Sequence, residues 1–216
     1  MSIFKTLLLK EDKQPIHDRL LYLYDKYMLQ AEKNYQLGRG GQARVFSSSK
    51  FPDKVLRISK VNDDYLSRLQ EYVGRDDKHL VKVYYFYEGS IYQIVVMEKL
   101  EVLDDDENTF LKRLFLLFDD YGIDYNQGLR YLVGFDGKLL DKEEVLEMFE
   151  YSDDWDSDEH LVESLNNRWD DIFRHKKMIE DVVYGLDEMI EQHHPDLFEK
   201  NIMKDPKTGN YKLIDL

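Results

Sequence analysis

The chain has 216 residues, of which 43% are hydrophobic, and it carries a formal net charge of −14 at pH 7 and no cysteine. This length and apolar content suffice for one substantial core or two small ones, which argues against a disordered tail. The lack of cysteine excludes disulfides and thiolate metal sites, the acidic balance argues against a nucleic-acid partner, and no apolar run approaches membrane-spanning length.

The first hundred residues are predicted to be rich in strands. An amphipathic helix is expected first, over 15–31, and a helix from about Asn62 to Tyr72, ended by Gly74, is expected later. Turn residues at 47–49 and at 51–53 are expected to connect two of the strands. The five strand candidates are 35–37, 44–46, 55–58, 80–87 and 91–98.

From Asn108 onward the pattern predicts helices, so a domain boundary is expected near residue 100. A short helix is predicted at 141–149, and a long one from Trp169 to Ile190 that leads into a His-His-Pro segment. After Asn201, two short strands flank the turn-rich stretch 205–210. Another helix is predicted just after Asn108, because five apolar residues fall on one helical face there: Phe110, Leu111, Leu114, Phe115 and Phe118.

Acidic residues are concentrated in two runs, 104–107 and 153–159. Such runs are typical of solvated loops or of helix starts. The alternative is that they form a docking surface for a basic partner, and the sequence leaves both interpretations open.

A glycine-rich turn at Gly38, Gly40 and Gly41 lies between two strand candidates. Glycines let backbone amides approach phosphate oxygens without obstruction by a side chain. The turn is not a Walker loop, which would end in Gly-Lys-Ser/Thr and open a helix. It fits a lid over nucleotide phosphates, and the alternative is a flexible β-turn.

A basic strand follows, with Val55, Arg57 and Ser59 on one face because side chains alternate. If that face is the inner one, Arg57 could hold phosphate groups. The alternative is an edge strand with surface charges.

The end of the chain contains Asp196, Lys200, Asn201 and Asp215. Asp196 could accept the proton of an attacking hydroxyl, and Lys200 could offset charge on a transferring phosphoryl group. Asn201 and Asp215 supply oxygen ligands suited to Mg²⁺. The alternative is an ordinary turn after a helix that ends at two histidines.

These motifs, taken in order, resemble those of the eukaryotic-like protein kinases along nearly the whole chain. Gly38-x-Gly40-x-x-Ala43-x-Val45 looks like the glycine-rich loop, and 55–58 resembles the V-A-I-K strand with Arg57 in place of the lysine. His194-x-Asp196-Leu197-x-x-x-Asn201 is similar to H-R-D-L-x-x-x-N, and Ile214-Asp215-Leu216 is similar to D-F-G.

The resemblance implies an α+β, two-lobed fold. It implies an antiparallel-sheet N-lobe at 35–100 and a reduced, mainly helical C-lobe at 101–216, which contains an acidic helical insert between Glu101 and Asp171. The helical pattern before the N-lobe predicts a helical extension at 1–34. The resemblance also implies ATP and Mg²⁺ as cofactors, with Asp196 and Lys200 as catalytic residues and Asn201 and Asp215 as metal ligands. The implied nucleotide-binding residues are Gly38, Gly40, Gly41, Ala43, Val45, Arg57, Glu71, Met97, Glu98 and Leu100.

Within that set, Glu71 would form an ion pair with the phosphate-binding cation, and Met97 would be the gatekeeper. The backbones of Glu98 and Leu100 would bond adenine. Pro195 replaces an arginine that pairs with phosphorylated activation loops, so that mode of activation is not expected. The 216 residues contain no counterpart of the kinase activation segment, and the expectation is therefore an enzyme similar to some abbreviated bacteriophage kinases.

The resulting prediction is an ATP-dependent kinase that phosphorylates Ser, Thr or Tyr of a protein, with a basic substrate favoured by the acidic insert. We expect a cytoplasmic protein, in the host cytoplasm if it is phage-encoded, with no membrane or nucleic-acid partner and an open oligomeric state. A nucleotide-binding pseudokinase is one alternative. A small-molecule phosphotransferase is another, although Phe198 stands where those families usually have histidine.

Overall fold

The computed structural model describes residues 36–39, 43–48, 51–60, 68–88, 92–150, 159–189, 197 and 199–214. The chain divides into two compact units, the first reaching to Asp77 and including Val81–Lys99, the second including Lys78–Leu80 and Leu100–Asp215. Antiparallel sheets and several helices confirm an α+β class. The helix predicted at 15–31 and the extension at 1–34 lie outside the described residues.

The first unit contains a five-stranded sheet in the order β1-β2-β3-β5-β4, with every neighbouring pair antiparallel. The central strands β3 and β5 pair from Lys54 opposite Glu98 to Lys60 opposite Tyr92. The strands are β1 (Gln36–Arg39), β2 (Ala43–Ser48), β3 (Phe51–Lys60), β4 (Val83–Glu88) and β5 (Tyr92–Glu98).

Both faces of the two central strands are largely buried. On one face, Ile58, Ile94 and Val96 form an apolar cluster with partly buried aromatic residues around it. The other face was predicted to carry Val55, Arg57 and Ser59, and each of these residues lies opposite a buried residue of β5. A continuous apolar run such as that of β5 is typical of a strand covered on both sides. The buried residues of this second face are Val55, Ser59, Gln93, Val95 and Met97.

Two local expectations for the first unit differ from the structure. The segment 51–53 was predicted as a turn but forms the start of β3, because proline is tolerated at the start of a strand. The helix predicted to end at Tyr72 is described only from Arg68, and its last turn is a 3-10 helix, Leu69–Tyr72. Gly74 follows with a φ of 83°, in the left-handed region where glycine is favoured.

The second unit contains six α-helices among its described residues. The first begins at a capping box in which Asp104 and Glu107 satisfy each other's backbone amides, so the acidic run at 104–107 is a helix start. The five apolar residues predicted to share a face of this helix are all buried. The helices are α1 (Asp105–Asp120), α2 (Tyr125–Tyr131), α3 (Lys142–Glu150), α4 (Glu159–Asn167), α5 (Trp169–Arg174) and α6 (Lys176–Glu188).

The prediction of one long helix from Trp169 to Ile190 was wrong, because the chain forms two helices there, α5 and α6, which are separated at His175. The buried His175 ring stacks on Phe110 with a centroid distance of 4.2 Å, and its Nδ1 lies 2.9 Å from the Asp171 carbonyl oxygen. These contacts hold the residue outside a continuous helix. Phe173, which was predicted to lie on the apolar face of this helix, is exposed.

A three-stranded antiparallel sheet completes the second unit, in the order β6-β7-β8. The strands are β6 (Glu101–Val102), β7 (Ile202–Lys204) and β8 (Tyr211–Leu213). The hairpin β7–β8 is the one predicted after Asn201, whereas β6 is too short for a sequence signal. Among the residues that the structure describes, no helix is both long and apolar enough to cross a membrane.

Candidate functional site

The β7–β8 hairpin brings Asn201 beside the residue that precedes Asp215. Ile202 pairs with Leu213, and the backbone N–H of Ile214 donates to the Asn201 carbonyl oxygen over 3.0 Å. Because the strands are antiparallel, two segments separated by the turn at 205–210 meet at the same end of the hairpin. Asp215 itself lies outside the described residues.

Asn201 is held in place by the short helix that precedes the hairpin. It ends the 3-10 helix Glu199–Asn201, and the residue is buried, with 8% of its surface exposed. Lys200, in the same turn, is exposed, and the nearby Leu197 is buried. Asp196, predicted to accept the proton, lies outside the described residues, as does Phe198.

Glu107 of α1 connects the helix to both strands of the hairpin. Its Oε1 accepts hydrogen bonds from Lys204 Nζ over 2.7 Å and from the Tyr211 hydroxyl, and its Oε2 accepts from the Asp104 N–H. Burial alone would raise the pKa of Glu107, but the bonds from Lys204, Tyr211 and Asp104 outweigh it and lower that pKa. The carboxylate is therefore ionised and fixed.

Asp181 of α6 holds the hairpin from the helix behind it. Its Oδ2 accepts from the Tyr211 backbone N–H over 3.0 Å and from Lys177 Nζ. Its Oδ1 lies 3.4 Å from Nδ1 of the buried His79. Burial lowers the pKa of His79 more than Asp181 and Glu188 raise it, so this histidine favours its neutral form.

The segment that carries His79 also joins the hairpin through its backbone. The His79 carbonyl oxygen accepts a hydrogen bond from the Leu213 N–H over 2.9 Å. The backbone N–H of His79 donates to Glu188 Oε2 over 2.8 Å. Leu80 forms a parallel bridge with Leu213. Strand β8, which leads to Asp215, is therefore bonded on both edges.

The roles of Glu107 and Asp181 were not predicted from the sequence. Glu107 was treated as part of an acidic run, although its position three residues after Asp104 matches a capping box. Asp181 interrupts the apolar face of α6 between Ile179 and Val182. An acid on an apolar helix face is a signal for a buried, paired carboxylate.

The turn of the hairpin is ordered by another carboxylate, Asp205. Its Oδ1 accepts from the Lys207 N–H and its Oδ2 from the Thr208 hydroxyl, each over 2.9 Å. Burial would raise the pKa of Asp205, but these bonds and the charge of Lys212 lower it overall. The turn therefore has a defined shape.

In the first unit, the glycine-rich segment joins two paired strands. Gly38 lies opposite Val45, and Ala43 begins β2. Arg57, partly buried, lies opposite Val45 on one side and Val95 on the other. The structure therefore places this cation in a central strand, and the edge-strand alternative was wrong. Gly40 and Gly41 lie outside the described residues.

The remaining predicted nucleotide-binding residues lie at different depths. Met97 is buried in β5, and Leu100 is buried, whereas Glu71 is exposed on its 3-10 helix. The Glu98 N–H donates to the Lys82 carbonyl oxygen over 2.9 Å. A hydrogen bond from adenine to the backbone of Glu98 would therefore use the carbonyl oxygen.

A magnesium site at the hairpin would use few protein ligands. The described residues contain no group of three or more His, Asp or Glu side chains able to hold a metal ion. The predicted metal ligands are instead one buried amide, Asn201, and one carboxylate, Asp215, each of which would coordinate the ion through oxygen. This chemistry fits Mg²⁺, which is often bound by one or two protein groups with water and substrate phosphates completing its shell.

No protein-family model matches this chain, and a search of curated proteins finds no similar sequence.

Proposed function

We propose that the chain is an ATP- and Mg²⁺-dependent protein kinase with a two-lobed, kinase-like fold. The observation that carries the proposal is the β7–β8 hairpin, which pairs Asn201 with the residue before Asp215. Asn201 lies at one end of this hairpin, and Asp215 follows Ile214 directly in the sequence, so the two residues would offer oxygen ligands of the kind that Mg²⁺ prefers.

Each residue of the motif has a distinct role in this proposal. Asp196 accepts the proton of a Ser, Thr or Tyr hydroxyl of the substrate. The oxygen of that hydroxyl bonds to the γ-phosphorus of ATP, and the bond between the γ-phosphorus and the leaving oxygen of ADP breaks. Lys200 is exposed and can approach the transferring group, where its charge offsets the negative charge of the phosphoryl oxygens. When bound, Mg²⁺ supplies charge neutralisation, and Asn201 and Asp215 hold it.

Arg57 is proposed to hold the nucleotide phosphates from the central strand β3. Its apolar strand neighbours, Val45 and Val95, keep the local dielectric low, which strengthens its attraction to an anion. Arginine binds phosphate with a planar fork of donors, so it is not equivalent to lysine at such a position. Arg57→Lys would therefore change, rather than merely preserve, the affinity for ATP.

The experiment is incubation with radiolabelled ATP, Mg²⁺ and a cell lysate. We expect labelled protein bands with the native chain and a loss of about 100-fold or more with Asp196→Ala. Asp170→Asn, an exposed acid of α5, is the matched control and should leave transfer unchanged. Full transfer by Asp196→Ala would contradict the assignment of the proton acceptor.

A binding measurement separates catalysis from nucleotide binding. ATP with Mg²⁺ should raise the melting temperature by several degrees, and Asp215→Asn should lose the part of the shift that depends on Mg²⁺. A normal shift without phosphate transfer would favour the pseudokinase alternative. Label confined to small products would favour a small-molecule phosphotransferase.

A further inference from the structure

We propose that a cavity in the second unit, remote in sequence from the kinase-like motifs, binds an apolar group that carries a carboxylate or a phosphate. The cavity has a volume of about 290 Å³. It is formed by α1, by the residue between α4 and α5, and by α5. The lining residues are Phe110, Arg113, Leu114, Arg168, Asp171 and Ile172.

The floor of the cavity is apolar and fixed in shape. Phe110, Leu114 and Ile172 are buried, with 7%, 2% and 0% of their surfaces exposed. The Phe110 ring is stacked on the ring of His175 at an interplanar angle of 10°, so its orientation is set by packing. A preformed apolar floor binds a ring or a branched aliphatic group at a small entropic cost.

Two arginines, Arg113 and Arg168, also line the cavity. Arg113 is on α1 and Arg168 immediately precedes α5, and both are exposed. Among the residues that the structure describes, neither guanidinium has a hydrogen bond or an ion pair. In a chain with a net charge of −14, two neighbouring cations at one cavity form a local positive site that would attract an anion.

The one acid in the lining does not neutralise them. Asp171 lies 3.4 Å from Nη1 of Arg174, a cation outside the cavity lining. The lining therefore keeps an excess of positive charge. Guanidinium groups bind carboxylates and phosphates through paired N–H donors, so the expected ligand is an oxyanion.

The volume limits the size of the ligand. Sites that enclose whole drug-sized molecules have about 300–1,000 Å³, and this cavity lies just below that range. One ring with one anionic group would fill it. Such a group occurs on free aryl phosphates and carboxylates and on modified or acidic side chains of proteins, and both sources present the same chemistry.

The test is an NMR titration of the ¹⁵N-labelled full chain with phenyl phosphate at about 0.15 M salt. We expect saturable shifts of the Arg113 and Arg168 Nε–H signals, and weaker binding by about tenfold in Arg113→Gln and in Arg168→Gln. Arg130→Gln, which changes an exposed arginine paired with Asp187, should leave the affinity unchanged. Asp171→Asn should tighten binding, because it removes a negative charge from the lining.

Further ligands separate the contributions and the source. Inorganic phosphate lacks the ring and benzyl alcohol lacks the charge, so both should bind at least tenfold more weakly than phenyl phosphate. A short phosphotyrosine peptide that binds more tightly than phenyl phosphate would identify a protein partner, and one that binds more weakly would identify a free small molecule.

Two results would overturn the proposal: equal affinity for inorganic phosphate and phenyl phosphate, or unchanged affinity in both arginine variants. Binding of phenyl phosphate at a nucleotide site elsewhere in the chain would not depend on Arg113 or Arg168. The outcome is therefore independent of whether Asp196 and Asp215 support phosphate transfer.

Discussion

Glu107 accepts hydrogen bonds from Asp104, three residues before it, and from Lys204 and Tyr211 on the two strands of the distant β7–β8 hairpin. Substituting one buried charged partner costs more than substituting a surface charge, because the remaining groups stay buried without their bonds. The stability of the hairpin should therefore depend strongly on the ionisation of this one residue.

We expect Glu107→Gln to lower the free energy of unfolding at pH 7 by about 1–3 kcal/mol, because an amide cannot pair with Lys204 as a carboxylate does. The pKa of Glu107 is lowered in the folded chain, so its contribution is present above its ordinary pKa and disappears as the pH falls through the lowered value. Urea unfolding from pH 7 to about pH 3 should show the two chains converging.

Glu143→Gln, at an exposed position of α3, is the control and should change stability little at any of these pH values. A constant difference between native chain and Glu107→Gln over the whole range would show that the carboxylate does not act through its charge.

For Tyr211 we expect a loss of stability at alkaline pH, in contrast to the loss at acid pH that is expected for Glu107. Burial, together with the neighbouring Glu107 carboxylate, raises the pKa of Tyr211 to about 12. Its contribution to stability is full below the ordinary tyrosine pKa of about 10 and is lost as the pH rises through the raised value. Tyr211→Phe should cost about 0.5–1.5 kcal/mol at pH 7 and should flatten the loss of stability between about pH 10 and pH 12.

Tyr121→Phe, next to the end of α1, serves as the matched substitution and should retain the alkaline loss of the native chain. Unfolding monitored at several pH values distinguishes the two variants. Parallel curves for native chain and Tyr211→Phe would contradict the role given to this hydroxyl.

At the scale of elements, α6 packs tightly against β8 at Gly185. A Cβ atom added there would lie 3.0 Å from the His79 carbonyl oxygen and 3.2 Å from two carbon atoms of Leu213. The contact with a backbone oxygen cannot be relieved by a side-chain rotation. A side chain at this position would therefore require α6, β8 or the His79 segment to shift by a few tenths of an ångström.

We expect Gly185→Ala to destabilise the chain by about 1–3 kcal/mol through overpacking, although alanine favours a helix by about 1 kcal/mol over glycine. Asn166→Ala, at an exposed position of α4, gains helix propensity without a new contact and should be neutral or slightly stabilising. Thermal unfolding of both variants measures the difference. A stabilising Gly185→Ala would show that α6 can move away from β8.

Elements with a strong local signal were predictable, and those defined by distant contacts were not. The apolar period of α1 and the turn residues of the β7–β8 hairpin are local, and both predictions are confirmed. The break at His175 depends on Phe110, which lies on another helix. A pattern read along one segment cannot contain that information.

The same distinction applies to the candidate site. The hairpin that carries Asn201 was predicted from its turn, whereas the positioning roles of Glu107 and Asp181 depend on partners far away in sequence. The nucleotide contacts of Arg57 and Glu98 and the proton transfer by Asp196 stay predictions.

At the scale of the whole molecule, the net charge of −14 produces self-repulsion in the compact state. Salt screens this repulsion, since the Debye length falls from about 30 Å at 0.01 M to about 10 Å at 0.1 M. We expect the melting temperature to rise by about 2–4 °C between about 0.01 M and 0.3 M NaCl, which corresponds to about 1 kcal/mol. Differential scanning calorimetry measures the change.

Potassium chloride should give the same increase, because screening depends on ionic strength and not on the identity of the cation. A melting temperature that falls with salt would show that attractive ion pairs, such as that of Lys204 with Glu107, outweigh the overall repulsion.

The ladder between β7 and β8 has a consequence for how this chain could vary. Asn201 and Ile214 are neighbours because of pairing, so residues added at the exposed positions Lys207 and Thr208 would lengthen the chain between them without moving them apart. A single residue deleted from β8 would instead invert the parity of the strand and turn each following side chain to the opposite face. What must be kept is thus the register in which β7 and β8 pair, and not the number of residues in the turn that joins them.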